Sequence, residues 1–334
     1  MLRLLILIVF AATLWSVWWA IGSGGSEAAT RAWFEARRAQ GWAADYGAMS
    51  VHGFPSRFDT VFEDVQLADP STGLAWTAPR FQINALSYKP NHLIAVWPAT
   101  QHVATPLGSY RIDSDDMRAS LVVAPDLDLA LKRATLSAQS LAALPNDGSA
   151  PIRAAALVLA AEQTESDPTR YRLGLEARDV APPVTLLRMP GSAGQLPDRL
   201  RLLKADLTVR FDKPWNMSAI EQARPQPRHI DLSLADAQWG ALQLQLAGTL
   251  EIDPGGKPSG EITVKARNWR DMLALGVQSG LIAPDMAAPL ENALGLMAQL
   301  KGNPQTLDIP LSFRAGQIKL GPVPLGPAPI LTIR

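Results

Sequence analysis

Residues 4–21 form a run of 18 residues without a charge, preceded by Arg3 and followed by no cation until Arg31. As a helix the run is about 27 Å long, at ~1.5 Å per residue. A bilayer core is ~30 Å thick, so the segment matches one crossing. No other stretch constrains the chain as strongly, because whatever follows must fold beside a membrane. The positive flank stays inside, which puts the rest of the chain outside the cytoplasm. Trp15, Trp18 and Trp19 cluster near the outer end, where amphipathic rings favour the interface. A cleaved signal peptide competes with this reading, since Ala20 and Gly22 are small enough to flank a cleavage site. Signal cores run ~7–15 residues, however, so a retained anchor over residues 1–25 is the expectation.

The remainder is folded in character: 47% of the 334 residues are hydrophobic and 19% charged. Net charge is zero, so no basic field exists to hold nucleic acid. Cysteine is absent, which removes disulfides, thiolate zinc sites and cysteine lipidation. The 27 Pro and 24 Gly, set among short apolar runs, favour many turns and strands.

After the anchor comes the flexible stretch 22–25, then a helical pattern over residues 26–40 with Trp33 and Phe34 on one face. We expect a connecting helix at 26–42 and a β-rich body at 43–334, with a sub-boundary near 142–151. Within the body the apolar period becomes two. Leu127, Leu129 and Leu131 alternate with polar neighbours, as do Leu207, Val209 and Phe211. The same holds for Ile230, Leu232 and Leu234; for Leu242, Leu244 and Leu246; for Ile262 and Val264; and for Leu307, Ile309, Leu311 and Phe313. Each run predicts a strand with one buried and one wet face. Asp69-Pro70, Asp167-Pro168 and Asp253-Pro254 predict turns, the last within a hairpin. Two late helices are expected, one capped by Asn268 and one from about Pro289 to Lys301. Roughly a dozen strands and three helices cannot bury one another in helix-covered layers. The fold class is therefore mainly β: an antiparallel curled sheet, closed as a sandwich or open as a groove.

Familiar catalytic patterns are missing. His52, His92, His102 and His229 show no metal-ligand spacing. Gly276-Val277-Gln278-Ser279-Gly280 has its serine one place off a nucleophile elbow. There is no phosphate loop and no dinucleotide fingerprint. Asp113-Ser114-Asp115-Asp116 lacks the Gly and terminal Glu of a calcium loop. We expect no enzyme, no cofactor and no bound metal.

Two segments are unusually specific for loops. One runs Val51-His52-Gly53-Phe54-Pro55-Ser56-Arg57-Phe58-Asp59. The other contains Ser87-Tyr88-Lys89-Pro90-Asn91-His92 and ends in Ala95-Val96-Trp97-Pro98. Their notable residues are His52, Phe54, Arg57, Tyr88, His92 and Trp97. Together with Gly248-Thr249-Leu250-Glu251-Ile252-Asp253, Gly260-Glu261-Ile262 and Gly316-Gln317-Ile318-Lys319-Leu320-Gly321, they make the chain resemble bacterial domain-of-unknown-function family 2125 over nearly its whole length. Ser56 stands where that family usually has an aromatic. The resemblance implies a membrane-anchored protein facing the periplasm and supplies no catalytic residues. The Gly-x-Leu-x-Ile-Asp hairpin is also similar to AsmA-like envelope proteins, which implies a link to lipid transport by analogy only.

The resulting expectation is a single-pass inner-membrane protein, amino terminus cytoplasmic and body periplasmic. Its partners would be the membrane, lipid and other envelope proteins. An acyl chain would lie along an apolar sheet face lined by Leu232, Leu234, Leu242, Leu244 and Leu246. The alternative is a structural or interaction protein of the envelope with a closed core and no ligand.

Overall fold

A computed structural model describes residues 1–181, 196–280, 282–300, 304–321 and 323–333. The chain divides into two units, Met1–Pro125 with Ala134–Pro151, and Asp126–Arg133 with Ile152–Arg334. All described strand pairings are antiparallel, which allows each strand one wet and one buried face.

Unit one opens with α1 (Leu2–Ala39), a single 38-residue helix. It is continuous through Gly22, Gly24 and Gly25, where the composition predicts a flexible break. Each glycine inside a helix costs about 1 kcal/mol relative to alanine. Contacts at both ends offset that cost. A Cβ on Gly22 would strike the Phe58 ring, so glycine there permits close packing against the sheet. Twelve residues on, Phe34 is buried with Ala44, Phe62, Val65 and Ala78.

The strands of this unit are β1 (Ala43–Asp45), β2 (Ala48–His52), β3 (Arg57–Asp69), β4 (Leu74–Leu86), β5 (Lys89–Val96), β6 (Thr100–Thr105), β7 (Gly108–Asp113), β8 (Asp116–Val123) and β9 (Leu131–Pro145). β3 and β4 form a long hairpin. Its turn is organised by Asp69, whose carboxylate accepts from Ser71 N, Ser71 Oγ and Thr72 Oγ1 at 2.9, 2.7 and 2.9 Å. The Ser71 hydroxyl is the main reason this carboxyl titrates below its ordinary value. β4 then forks. Its end pairs with β5 and its start with β6.

Strict alternation fails in this hairpin. Asp64 has φ 51° and is skipped in the register opposite Pro79, between the pairs Glu63–Arg80 and Val65–Ala78. The inward face therefore passes from even to odd positions, so that Phe62, Val65 and Leu67 share one apolar cluster.

The described residues of unit two form a meander of nine strands: β10 (Ile152–Gln163), β11 (Arg170–Val180), β12 (Leu200–Phe211), β13 (Pro227–Trp239), β14 (Leu242–Ile252), β15 (Pro258–Arg267), β16 (Thr306–Arg314), β17 (Gln317–Leu320) and β18 (Val323–Pro327). Each pairs with the next. A short helix, α2 (Met217–Glu221), follows β12 and is capped by Asn216, whose side chain accepts from Ala219 N. Arg172 on β11 forks onto Asp206 of β12 at 3.0 and 2.6 Å, which holds that carboxyl below its ordinary value. The Asp253-Pro254 turn closes β14 onto β15. Gly256 N donates to Asp253 O, and Lys257 N to Asp253 Oδ1, both at 2.9 Å.

α3 (Trp269–Gln278) and α4 (Pro284–Leu300) cover part of this sheet. Trp269, Leu294 and Ala298 close over Ala266, Leu307 and Ile309. Asn268 occupies the cap position of α3 in a left-handed conformation, but its side chain makes no cap bond and donates to Ala241 O instead. α4 starts at Pro284, before the expected Pro289, because Pro284 and Asp285 already supply first-turn chemistry. The helix passes through Pro289 and buries Leu290, Leu294 and Ala298 at successive fourth positions. Lys301 lies outside the described residues.

Of the run at 127–131, only Leu131 joins a strand, as the first residue of β9. Asp126 accepts from the amides of Asp128 and Leu129, both at 3.1 Å, and Leu129 sits at φ 48°. This local side-chain turn outcompetes the sheet ladder, and Leu127 is left 99% exposed.

Candidate functional site

The five leucines expected to line a lipid-binding face are all on β13 and β14, but they do not form one open surface. Leu242 is buried. Leu244 packs against the cluster beneath α3 and α4. Leu232 and Leu246 pack against Leu250, Ile262 and Phe313. A bulge separates Leu234 from the rest. Leu232 pairs with Gly248 and Ala235 with Leu246, so one extra residue lies between them. Consecutive residues Asp206 and Leu207 face Leu234 and Leu232. Since neighbours along a strand point to opposite faces, Leu234 lies on the face opposite Leu232. This corrects the even alternation read from the sequence.

An apolar groove lies instead in unit one, between α1 and the β3–β4 hairpin. Its volume is about 370 Å³, lined by Ala29, Thr30, Trp33 and Phe34 of the helix and by Phe62, Val65, Leu67, Trp76, Phe81 and Ile83 of the strands. Small-molecule sites span about 300–1,000 Å³. The register builds the strand wall from cross-strand pairs, Phe62 opposite Phe81 and Leu67 opposite Trp76. Rings then interlock: Phe34–Phe62 at 6.0 Å, Phe62–Phe81 at 6.1 Å and Trp76–Phe81 at 5.2 Å. Tyr46 supports Phe34 from behind, edge-on at 4.8 Å.

Two of the polar side-chain atoms of the wall are occupied. Thr30 Oγ1 donates to Ser26 O at 2.9 Å, and Trp76 Nε1 to Gln101 Oε1 at 2.6 Å. Gln101 is itself buried. The Arg37 guanidinium stacks near Trp33 and Trp42, at 5.4 and 5.7 Å from the ring centres. Such a wall can hold a hydrocarbon chain by area alone. Among the described residues no group of three or more His, Asp or Glu could hold a metal ion.

The loop residues singled out in the sequence sort into different places. Phe54 and Arg57 lie on the β2–β3 turn and Tyr88 on the β4–β5 turn. These turns are joined by Ser87 N donating to Ser56 O at 2.9 Å. Trp97 meets the groove residue Phe81 at 5.3 Å, with the rings tilted at 55°. His52 and His92 each meet a serine, Ser50 and Ser120, at 2.9 Å. The acidic stretch at 113–116 is the β7–β8 turn, where Ser114 Oγ donates to Gln139 O at 2.7 Å.

Sequence reasoning missed the groove residues because each looks like ordinary core. The available signal was Trp33-Phe34 on a helix that continues the anchor, facing strands with unusually dense aromatics.

Residues 19–329 match the model of a family described as an uncharacterized protein conserved in bacteria, DUF2125. Comparison with curated proteins and with solved structures finds no match. One described helix, Leu2–Ala39, is long and apolar enough to cross a membrane. The match covers the carboxy-terminal half of that helix, the groove and the meander alike, and the chain belongs to the DUF2125 family.

Proposed function

We propose that this chain is a non-enzymatic, single-pass envelope protein that holds a lipid acyl chain in the α1/β3/β4 groove. One observation carries the reading: the helix whose apolar half suits a bilayer also forms one wall of an apolar, aromatic-lined groove. Ala29 is eight residues past Ile21, which is about 12 Å along the axis. The groove would thus sit just outside the bilayer surface, within reach of a chain drawn from it. Burying about eight methylenes contributes roughly 6 kcal/mol, enough for retention without a catalytic group. Arg3 before the apolar run and the absence of cations up to Arg31 favour a cytoplasmic amino terminus and a periplasmic body.

The test is photocrosslinking of the full chain with a diazirine-bearing fatty acid in native membranes. Labelled peptides should come from residues 29–34 and 62–83. Labelling confined to residues 4–21, as for any membrane span, contradicts the proposal.

A further inference from the structure

We infer that the β2–β3 and β4–β5 turns are a second membrane contact, seated in the outer-leaflet interface beside α1. The inference rests on α1 crossing the bilayer and is independent of any ligand in the groove.

Two indoles of the apolar run are committed to one turn. Trp15 Nε1 donates to Pro55 O at 2.8 Å, and Trp19 Nε1 to Arg57 O at 2.7 Å. Phe54 meets Trp19 edge-on at 5.4 Å. The bonds fix the depth of the turn. Trp15 lies six residues before Ile21, about 9 Å back along the axis. Side chains on a helix lean towards its amino terminus, so the indole reaches no shallower than its own Cα. If residues 4–21 fill the hydrocarbon, Pro55 is held below its outer boundary.

Backbone buried in lipid must satisfy its polar groups internally, and residues 55–57 do so. Pro55 has no N–H, and its carbonyl accepts from Trp15 and, at 3.3 Å, from Ser87 Oγ. Ser56 N and Arg57 N donate to Gly53 O at 3.2 and 2.9 Å, and Ser56 O accepts from Ser87 N. Arg57 O accepts from Trp19. From Pro55 to Arg57 every backbone donor and acceptor is therefore bonded within the chain.

The side chains that point outward suit an interface. Phe54 and Tyr88 are 56% and 66% exposed. Arg57 and Lys89 are also exposed, the Arg57 guanidinium being paired with Asp59 at 2.9 Å. Exposed aromatic rings beside long side chains with polar tips are the composition of a bilayer–water boundary. Beyond the edge-on contact of Phe54 with Trp19, unit one leaves both rings more than half exposed.

The absence of cysteine makes the test clean. Single-cysteine variants of the full chain, Phe54→Cys, Tyr88→Cys, Leu107→Cys and Ala12→Cys, carry an environment-sensitive fluorophore. They are reconstituted in vesicles of phosphatidylethanolamine and phosphatidylglycerol. Leu107 is 92% exposed at the β6–β7 tip, by the opposite end of β4, about 40 Å away at ~3.3 Å per residue. The probes at 54 and 88 should emit to the blue and be quenched by shallow spin-labelled lipids several-fold more than the probe at 107. Ser56→Cys repeats the measurement with the Phe54–Trp19 contact intact. Probes at 54, 56 and 88 that behave like the one at 107, with the probe at 12 in lipid, overturn the inference. An aqueous probe at 12 overturns the span itself, and the inference with it.

Discussion

Phe34→Ala is expected to destabilise unit one by about 3–5 kcal/mol, the range for deleting a buried aromatic side chain. Phe34 is 3% exposed and is the one described side chain of α1 that is fully buried. Its ring contacts Trp33, Tyr46 and Phe62 at 5.1, 4.8 and 6.0 Å. Removing it leaves a cavity bounded by a sheet that cannot collapse and a helix weakened by Gly24 and Gly25. The carboxy-terminal turns of α1 should then leave the sheet and the groove should open. Urea unfolding of the full chain in detergent, followed by tryptophan emission, measures the cost. Trp33→Ala provides the contrast. That residue is 36% exposed, so its removal should cost less while widening the same groove. Equal stability of Phe34→Ala and the parent would mean that the helix does not dock through this residue.

The second large effect is in unit two. Gly248→Ala is expected to cost about 2–4 kcal/mol, from backbone strain combined with overpacking. Gly248 has φ 151° and faces Ile262 across the β14–β15 ladder, and Gly260, at φ 140°, faces Leu250. A Cβ on Gly248 would strike the Glu261 carbonyl oxygen and the Ile262 Cα, and one on Gly260 the Thr249 carbonyl oxygen. These obstacles are backbone atoms, so no side-chain rotation relieves them. The two glycines let neighbouring strands approach closely, which gives the Gly-x-Leu-x-Ile-Asp hairpin a physical reason. Gly174→Ala is the control in the same sheet, because its added methyl would meet only the Ala160 Cβ at 3.8 Å. Hydrogen exchange should show lost protection across β14 and β15 for Gly248→Ala and none for Gly174→Ala. Undiminished protection in Gly248→Ala would contradict the close-approach account.

Alternation made most of the strands legible, and the clearest case is β16, where Leu307, Ile309 and Phe313 are buried. It failed wherever the backbone departs from a pleat. Leu127 and Leu129 keep the right spacing, but the Asp126 side chain captures the local amides. The bulge in β13 sends Leu234 to the other face, and the Asp64–Pro79 kink exchanges odd for even positions in the hairpin that forms the groove. A bulge is set by the register with a partner strand, which one strand's residues do not encode. The glycines of α1 misled in the same manner. Their low helix propensity is a local property, whereas the Phe58 and Phe34 contacts that override it come from strands further along the chain. The two turn motifs were recognisable by composition. Their place beside Trp15 and Trp19 depends on indole-to-carbonyl bonds spanning some forty positions, which no local pattern announces.

The central claim is that the α1/β3/β4 groove holds an acyl chain. Native mass spectrometry of the full-length protein, released from nanodiscs, tests it most directly when the parent is compared with Ala29→Trp. Ala29 is exposed on the helix side of the groove, so a tryptophan there fills the space without entering the core. One retained lipid per parent chain is expected, and at least a tenfold loss of that species in Ala29→Trp, with both proteins equally folded. A bare parent mass, or lipid retained equally by both, would contradict it.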